Sequence, residues 1–94
     1  MKIKFTWDDT KAELNRKKHN VTFEEASEVF FNFPLEVFHD PESSDDELRY
    51  IATGFSNSRK SLLVVHCENA TGNEIRIISA RRATKKERKQ LFGE

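Results

Sequence analysis

The chain is poor in the residues that build cross-links, tight loops and membrane spans: one Cys, three Gly and two Pro. A single Cys67 excludes an internal disulfide and fits a reducing compartment. So few glycines leave no glycine-rich phosphate loop. His39, His66 and Cys67 lack metal-ligand spacing, so no metal and no other cofactor is expected. No nucleophile-elbow signature points to a Ser-His-Asp site. No segment approaches the ~20 apolar residues that span a bilayer. Residues 1–5 (MKIKF) lack the apolar centre of a signal peptide. A cytoplasmic location with no membrane partner is therefore expected.

What is present is aromatic and charged. Eight Phe, one Trp and one Tyr enlarge a hydrophobic fraction of only 36%. Each fully buried aromatic contributes roughly 1.5–3 kcal/mol, enough for one compact domain over residues 1–94. The formal net charge is zero, but the charges are segregated. Residues 75–89 carry Arg76, Arg81, Arg82, Lys85, Lys86, Arg88 and Lys89 against Glu87 alone. Residues 20–50 carry Glu24, Glu25, Glu28, Glu36, Asp40, Glu42, Asp45, Asp46 and Glu47 against Arg49 alone. One face then suits a polyanion and another a basic partner.

The periodicity predicts an α+β domain in the order β-α-α-β-β-β-β-α, a mainly antiparallel sheet with two N-terminal helices on one face and a C-terminal helix. Residues 2–7 alternate, with Ile3, Phe5 and Trp7 on one side. Asp8 or Asp9 caps a helix over residues 10–18, which ends at Asn20. Thr22 with Glu25 forms a capping box for a second helix, whose buried stripe is Phe23, Ala26, Val29 and Phe30. Strands follow over residues 35–39, 47–55, 60–67 and 73–82; residues 62–67 are apolar on both faces, as a central strand requires. Thr84 and Glu87 form a capping box opening a basic terminal helix that carries Leu91 and Phe92. Trp7, Phe23, Val29, Phe30, Leu63 and Val65 are the expected core.

Several of these residues carry chemistry. His19 follows Lys17 and Lys18 at a helix end. Such a histidine usually caps or faces solvent; beside two phosphate-holding lysines it can also transfer a proton near neutral pH. Glu47 and Arg49, two apart on a strand, share a face, either as an exposed ion pair or as a general base beside a phosphate clamp. By strict alternation Arg81 shares a face with Ile75, Ile77 and Ser79, whereas Arg76 and Arg82 point the other way. Arginines emerging from an apolar strand need acids, solvent or RNA phosphates as partners.

A resemblance adds to this reading. Phe5-Thr6-Trp7-Asp8, Asn15-Arg16-Lys17-Lys18-His19, Val21-Thr22-Phe23-Glu24-Glu25-Ala26 and Val29-Phe30 resemble the amino half of BrnT-type toxins. Glu47-Leu48-Arg49-Tyr50, Gly54, Arg59, Leu62-Leu63-Val64-Val65 and Arg76-Ile77-Ile78-Ser79-Ala80-Arg81-Arg82-Ala83 resemble the carboxyl half. The resemblance implies a RelE-like ribonuclease fold and the toxin of a bacterial type II toxin–antitoxin module. It implies a metal-independent endoribonuclease that cleaves RNA and arrests growth. A BrnA-like antitoxin with a ribbon-helix-helix DNA-binding domain would neutralise it in a higher-order complex. The family pattern is similar at Lys18-His19, Glu47, Arg49, Arg76 and Arg81, which places catalysis at Glu47 (base), Arg81 (phosphate clamp), His19 and Arg49; RNA binding is expected at Lys18 and Arg76 and, from the clustering of cations, at Lys17, Arg82, Lys85 and Lys89. The chain departs from the family in having Asn20 where glycine is frequent and Leu91 where tyrosine is frequent. The competing class is a non-catalytic module that only binds nucleic acid or a partner.

Overall fold

The computed structural model describes residues 2–42 and 48–93. The elements run β1 (Lys4–Thr6), α1 (Asp9–His19), α2 (Phe23–Ser27) continued by a 3-10 turn (Glu28–Phe31), β2 (Glu36–His39), β3 (Tyr50–Phe55), β4 (Ser61–Glu68), β5 (Glu74–Arg82) and α3 (Lys85–Leu91). The five strands form one sheet in the order β1-β5-β4-β3-β2. Consecutive strands β2 to β5 pair antiparallel, and β1 lies parallel to β5 at one edge. The architecture is thus the expected α+β order, with β4 central as its two apolar faces require.

Local signals act largely as predicted. Asp8 Oδ1 accepts the Lys11 N–H at 3.0 Å, and Asn20 closes α1 in the left-handed region at φ 57°. Thr22 Oγ1 accepts the Glu25 N–H at 3.0 Å. The expected capping box at this helix is only half made, because the Glu25 carboxylate instead accepts from Ser58 Oγ at 3.2 Å and faces Lys60 Nζ at 3.5 Å. The box at Thr84 and Glu87 is complete.

The core lies between the sheet and the α1–α2 layer. Val21, Phe23, Ala26 and Val29 pack on Ala52, Leu62, Val64, Ile75, Ile77 and Ala80, with Ile3, Phe5, Trp7 and Phe30 at its margin. Of the expected core residues Phe23, Val29 and Leu63 are buried, and Trp7, Phe30 and Val65 are half-buried. Gly54 lets the 3-10 turn press closely on β3: a Cβ there would meet Val29 Cβ at 3.2 Å, so Val29 would have to give by a few tenths of an ångström. Helix α3 sits on the opposite side, where Phe92 packs on Phe55 at 5.0 Å between centroids.

Helix α1 offers little apolar surface: Leu14 is exposed, and Ala12 is only partly buried. Its attachment is polar. β1 covers β5 only at Glu74, Ile75 and Arg76, and among the described residues no other strand pairs with the rest of that edge. Asn15, buried in α1, closes the gap. Its Nδ2 donates to Ala80 O at 2.9 Å and to Val21 O at 3.0 Å, and its Oδ1 accepts the Ala80 N–H at 3.0 Å. The amide thereby replaces one peptide of a missing strand.

The register corrects one expectation. Val65 opposes Ser79 but His66 opposes Ile77, so Ile78 is an extra residue in β5. This bulge inverts the alternation beyond it. Ile75 and Ile77 face the helices; Ser79 and Arg81 face the other side, together with Arg76, while Arg82 opposes the fully buried Leu62 on the helix side. Arg81 therefore does not share a face with Ile75 and Ile77, and Arg76 and Arg82 do not point together.

Asn15→Ala leaves the Ala80 N–H and carbonyl without their partner in a buried setting. An expected loss of about 2–4 kcal/mol in denaturant unfolding follows, whereas Lys11→Ala, on the exposed side of the same helix, should change stability by under about 0.5 kcal/mol.

Candidate functional site

The sheet face away from α1 and α2 is ordered in rows by the strand register. One row is Glu36–Thr53–Leu63–Arg81, and the next is Phe38–Ile51–Val65–Ser79. A third contains Cys67, Arg76 and Thr6. Arg49 accepts the Asp40 N–H on its carbonyl at 2.8 Å, continuing the ladder one residue before β3. Strand alternation then places Arg49 on the side of Ile51 and Thr53, opposite Cys67. Arg81 thus stands on one side of an apolar middle row, and Arg76 with Arg49 on the other. Four residues of β4 separate Leu63 from Cys67, roughly 13 Å at the usual strand rise.

Residues of α1 reach the same region from the edge of β5. The Asn15 anchor sets the rotation of the helix so that Lys11, Leu14, Lys18 and His19 line a groove of about 210 Å³ with Ile78 and Ser79. The basic last turn, Arg16 to His19, complements the helix dipole. His19 is half-buried. Lys17 is exposed and does not line the groove. Lys85 and Lys89 are exposed on α3, four residues apart and so on one side of it.

Arg81 is held before any ligand arrives. Its Nη1 donates to Glu87 Oε1 at 2.7 Å and its Nη2 to Glu87 Oε2 at 2.9 Å. Glu87 Oε1 also accepts the Thr84 N–H at 2.8 Å, so the helix cap that orients Glu87 orients the guanidinium too. The pairing with Arg81, followed by the Thr84 backbone bond, pulls the Glu87 carboxyl down to about 2 and raises Arg81 further above its ordinary value. Arg76 Nη2 approaches Cys67 Sγ at 3.8 Å beside a cavity of about 220 Å³ lined by Thr6, Glu68, Asn69 and Glu74. A third cavity of about 300 Å³, near Trp7 and Phe23, is lined by Asp9, Glu13 and Glu24 and repels phosphate; its Arg16 is already paired with Glu13 at 2.6 Å.

The structure thus brings Lys18 and His19 to Ser79, and sets Arg81, Arg76 and Arg49 on one face. It separates Arg82 from them, and Glu47 lies outside the described residues. Sequence reasoning missed Asn15 as the helix anchor, Ser79 and Lys11 as groove residues and Glu87 as the holder of Arg81. Only Glu87 left a legible trace, since a capping box turns its N3 carboxylate back toward the preceding strand. His66, dismissed as a metal ligand, is wholly buried, with Nε2 at 3.1 Å from Glu68 and its ring edge-on to Phe30 at 5.0 Å.

Because the folded carboxyl of Glu87 lies below its unfolded value, its stabilisation is complete above about pH 4.5 and is lost as the pH falls toward about 2. Arg81 remains 41% exposed, so screening limits the contribution to about 1–2 kcal/mol. Glu87→Gln should remove that acid-side loss from a pH series of denaturant midpoints; an unchanged slope between pH 4.5 and 2.5 would contradict the pairing.

Comparison with known proteins agrees with this architecture. No curated protein matches the chain in sequence. The crystal structure of the Brucella abortus ribonuclease toxin BrnT is similar, with a TM-score of 0.66 and 25% identity, covering 88% of this chain and 99% of that one. A family model described as the ribonuclease toxin BrnT of a type II toxin–antitoxin system matches residues 7–87. With most of its length matched, the chain belongs to the BrnT family of type II toxin–antitoxin ribonuclease toxins.

Proposed function

We propose that this chain cleaves single-stranded RNA by metal-independent acid–base chemistry on the open face of the sheet. The observation that carries the reading is the placing of Arg81 and Arg76 on either side of the apolar row Phe38–Ile51–Val65–Ser79, with the Lys18–His19 groove opening at Ser79. Such a surface suits unpaired RNA, whose bases lie on an apolar floor while arginines take the phosphates. Family membership supports the ribonuclease class.

In the proposed reaction a base removes the proton of a ribose 2′-hydroxyl, and that oxygen attacks the adjacent phosphorus. The 5′-oxygen leaves with a proton from an acid, producing a 2′,3′-cyclic phosphate and a 5′-hydroxyl end. No step requires a metal. Arg81, pre-oriented by Glu87, stabilises charge developing on the phosphoryl oxygens, and its Nε edge is directed away from the Glu87 bonds, which use both Nη atoms. His19 is the proton donor and Lys18 holds phosphate beside it; Glu47 remains the proposed base, with Arg49 as second clamp. Arg82, Lys17, Lys85 and Lys89 add long-range attraction for the polyanion rather than direct contacts. The cellular setting proposed is a cytoplasmic toxin silenced by a BrnA-like antitoxin. In a competing non-catalytic role the same face would bind RNA without cutting it.

Cleavage of a fluorogenic RNA in the presence of a chelator tests the reaction. Arg81→Ala should lower kcat by about 10²–10³-fold and His19→Ala by about 10²–10⁴-fold. Binding with no cyclic-phosphate product from the intact chain would favour the non-catalytic role. A cut that stops on chelation and resumes with added divalent metal would overturn the metal-independent chemistry.

A further inference from the structure

Helix α1 turns Lys11, Leu14, Asn15, Lys18 and His19 toward β5, at the three- and four-residue spacing that lines one side of a helix. Asn15, at the centre, is consumed by its bonds to Ala80 and Val21. Its neighbours are not. Leu14 borders the groove yet is 61% exposed. Across the groove stands Ile78, the bulge residue of β5, half-buried and outside the core cluster. Beside Ile78, the half-buried Ser79 has a hydroxyl that bonds to no other described residue.

Cations frame this apolar slot. Lys11 and Lys18 lie two turns apart on α1, roughly 10 Å along the helix axis. Neither ammonium pairs with an acid among the described residues. No Asp or Glu lines the groove, whereas acids rim the Trp7 and Arg76 cavities. The space, about 210 Å³, suits one ring system rather than a stack of them. A free phosphate would leave the apolar walls unused, and an apolar peptide would leave both ammonium groups without partners. A nucleotide uses all of it, with its base in the slot and a phosphate at each end. A double helix cannot, because its bases are stacked and paired.

We propose that this groove is the subsite for one unstacked nucleobase of single-stranded RNA, belonging to a nucleotide next to the phosphate held at Lys18 and His19. Leu14 and Ile78 pack on the base, Ser79 Oγ bonds a polar group on its edge, and Lys11 takes the phosphate on its far side. Every base has a flat face to pack, and a hydroxyl both donates and accepts. The subsite therefore selects an unpaired base without choosing its identity. The inference rests on the proposed RNA surface and deepens it. Lys11, Leu14 and Ser79 position the strand and do not touch the reacting atoms.

The test measures binding and cutting separately on the full chain. The binding probes are a ten-residue oligodeoxyuridylate, which lacks the attacking hydroxyl, and an abasic deoxyribose-phosphate strand of equal length. Methyl signals of Leu14 and Ile78 should shift with the uracil strand and stay in place with the abasic one. The uracil strand should also bind about tenfold more tightly. Leu14→Ala, at an exposed position, should erase that difference by weakening the uracil strand alone. Lys11→Ala should instead weaken both strands equally and lower the salt slope of each by about 0.7. With a fluorogenic RNA, Leu14→Ala should raise KM by about tenfold and retain kcat. The proposal is overturned if the abasic strand moves both methyls as far as the uracil strand does. It is overturned also if Leu14→Ala leaves the affinity for the uracil strand unchanged. A chain that shows the groove shifts but cuts no RNA keeps the subsite and loses the cleavage reading. A chain that cuts RNA while both methyls stay unmoved by the uracil strand loses the subsite alone.

Discussion

The buried amide of Asn15 is the contact on which the placement of the functional groups depends. A helix of sequence DTKAELNRKKH has almost no apolar stripe with which to dock. Its position is set instead by three hydrogen bonds from one side chain, two to the Ala80 peptide and one to Val21 O. A hydrophobic stripe tolerates sliding and rotation because dispersion is non-directional, whereas a two-point amide pairing fixes both. Lys18 and His19, one turn further along, are therefore delivered to Ser79 rather than merely to the neighbourhood of the sheet.

The bulge at Ile78 does the corresponding work within β5. Without it, the alternation that buries Ile75 and Ile77 would also carry Ser79 and Arg81 onto the helix side. With it, one strand presents isoleucine to the core and then serine and arginine to the opposite face. The bulge and the Asn15 anchor are adjacent in sequence on β5, so the strand is bent and tethered in the same place.

Charge segregation survives folding in an organised form. Glu87, the lone acid of the basic segment, is used to hold Arg81 and to cap α3 at once. A guanidinium so held loses less conformational freedom when a phosphate arrives, which is the usual advantage of a pre-oriented clamp. The acids Glu36 and Asp40 lie on the far edge of the sheet, with Asp40 opposite Arg49 across the β2–β3 ladder.

Much of the architecture was legible in the sequence because it rests on short-range physics. Caps at Asp8, Thr22 and Thr84, the left-handed Asn20 and the doubly apolar run 62–67 all report on neighbours within one or two turns. The motifs that carry the family resemblance are likewise contiguous stretches. Tertiary structure alone decided the parallel seat of β1, the bulge, the diversion of Glu25 to Ser58 and Lys60, and the pairing of Arg81 with Glu87. Each of these is a competition between a local partner and a distant one, and sequence spacing cannot score the distant partner. Strict alternation put Arg81 on the wrong face for that reason: a period of two is a property of an isolated strand, but the residue that breaks it is chosen by the strand beside it.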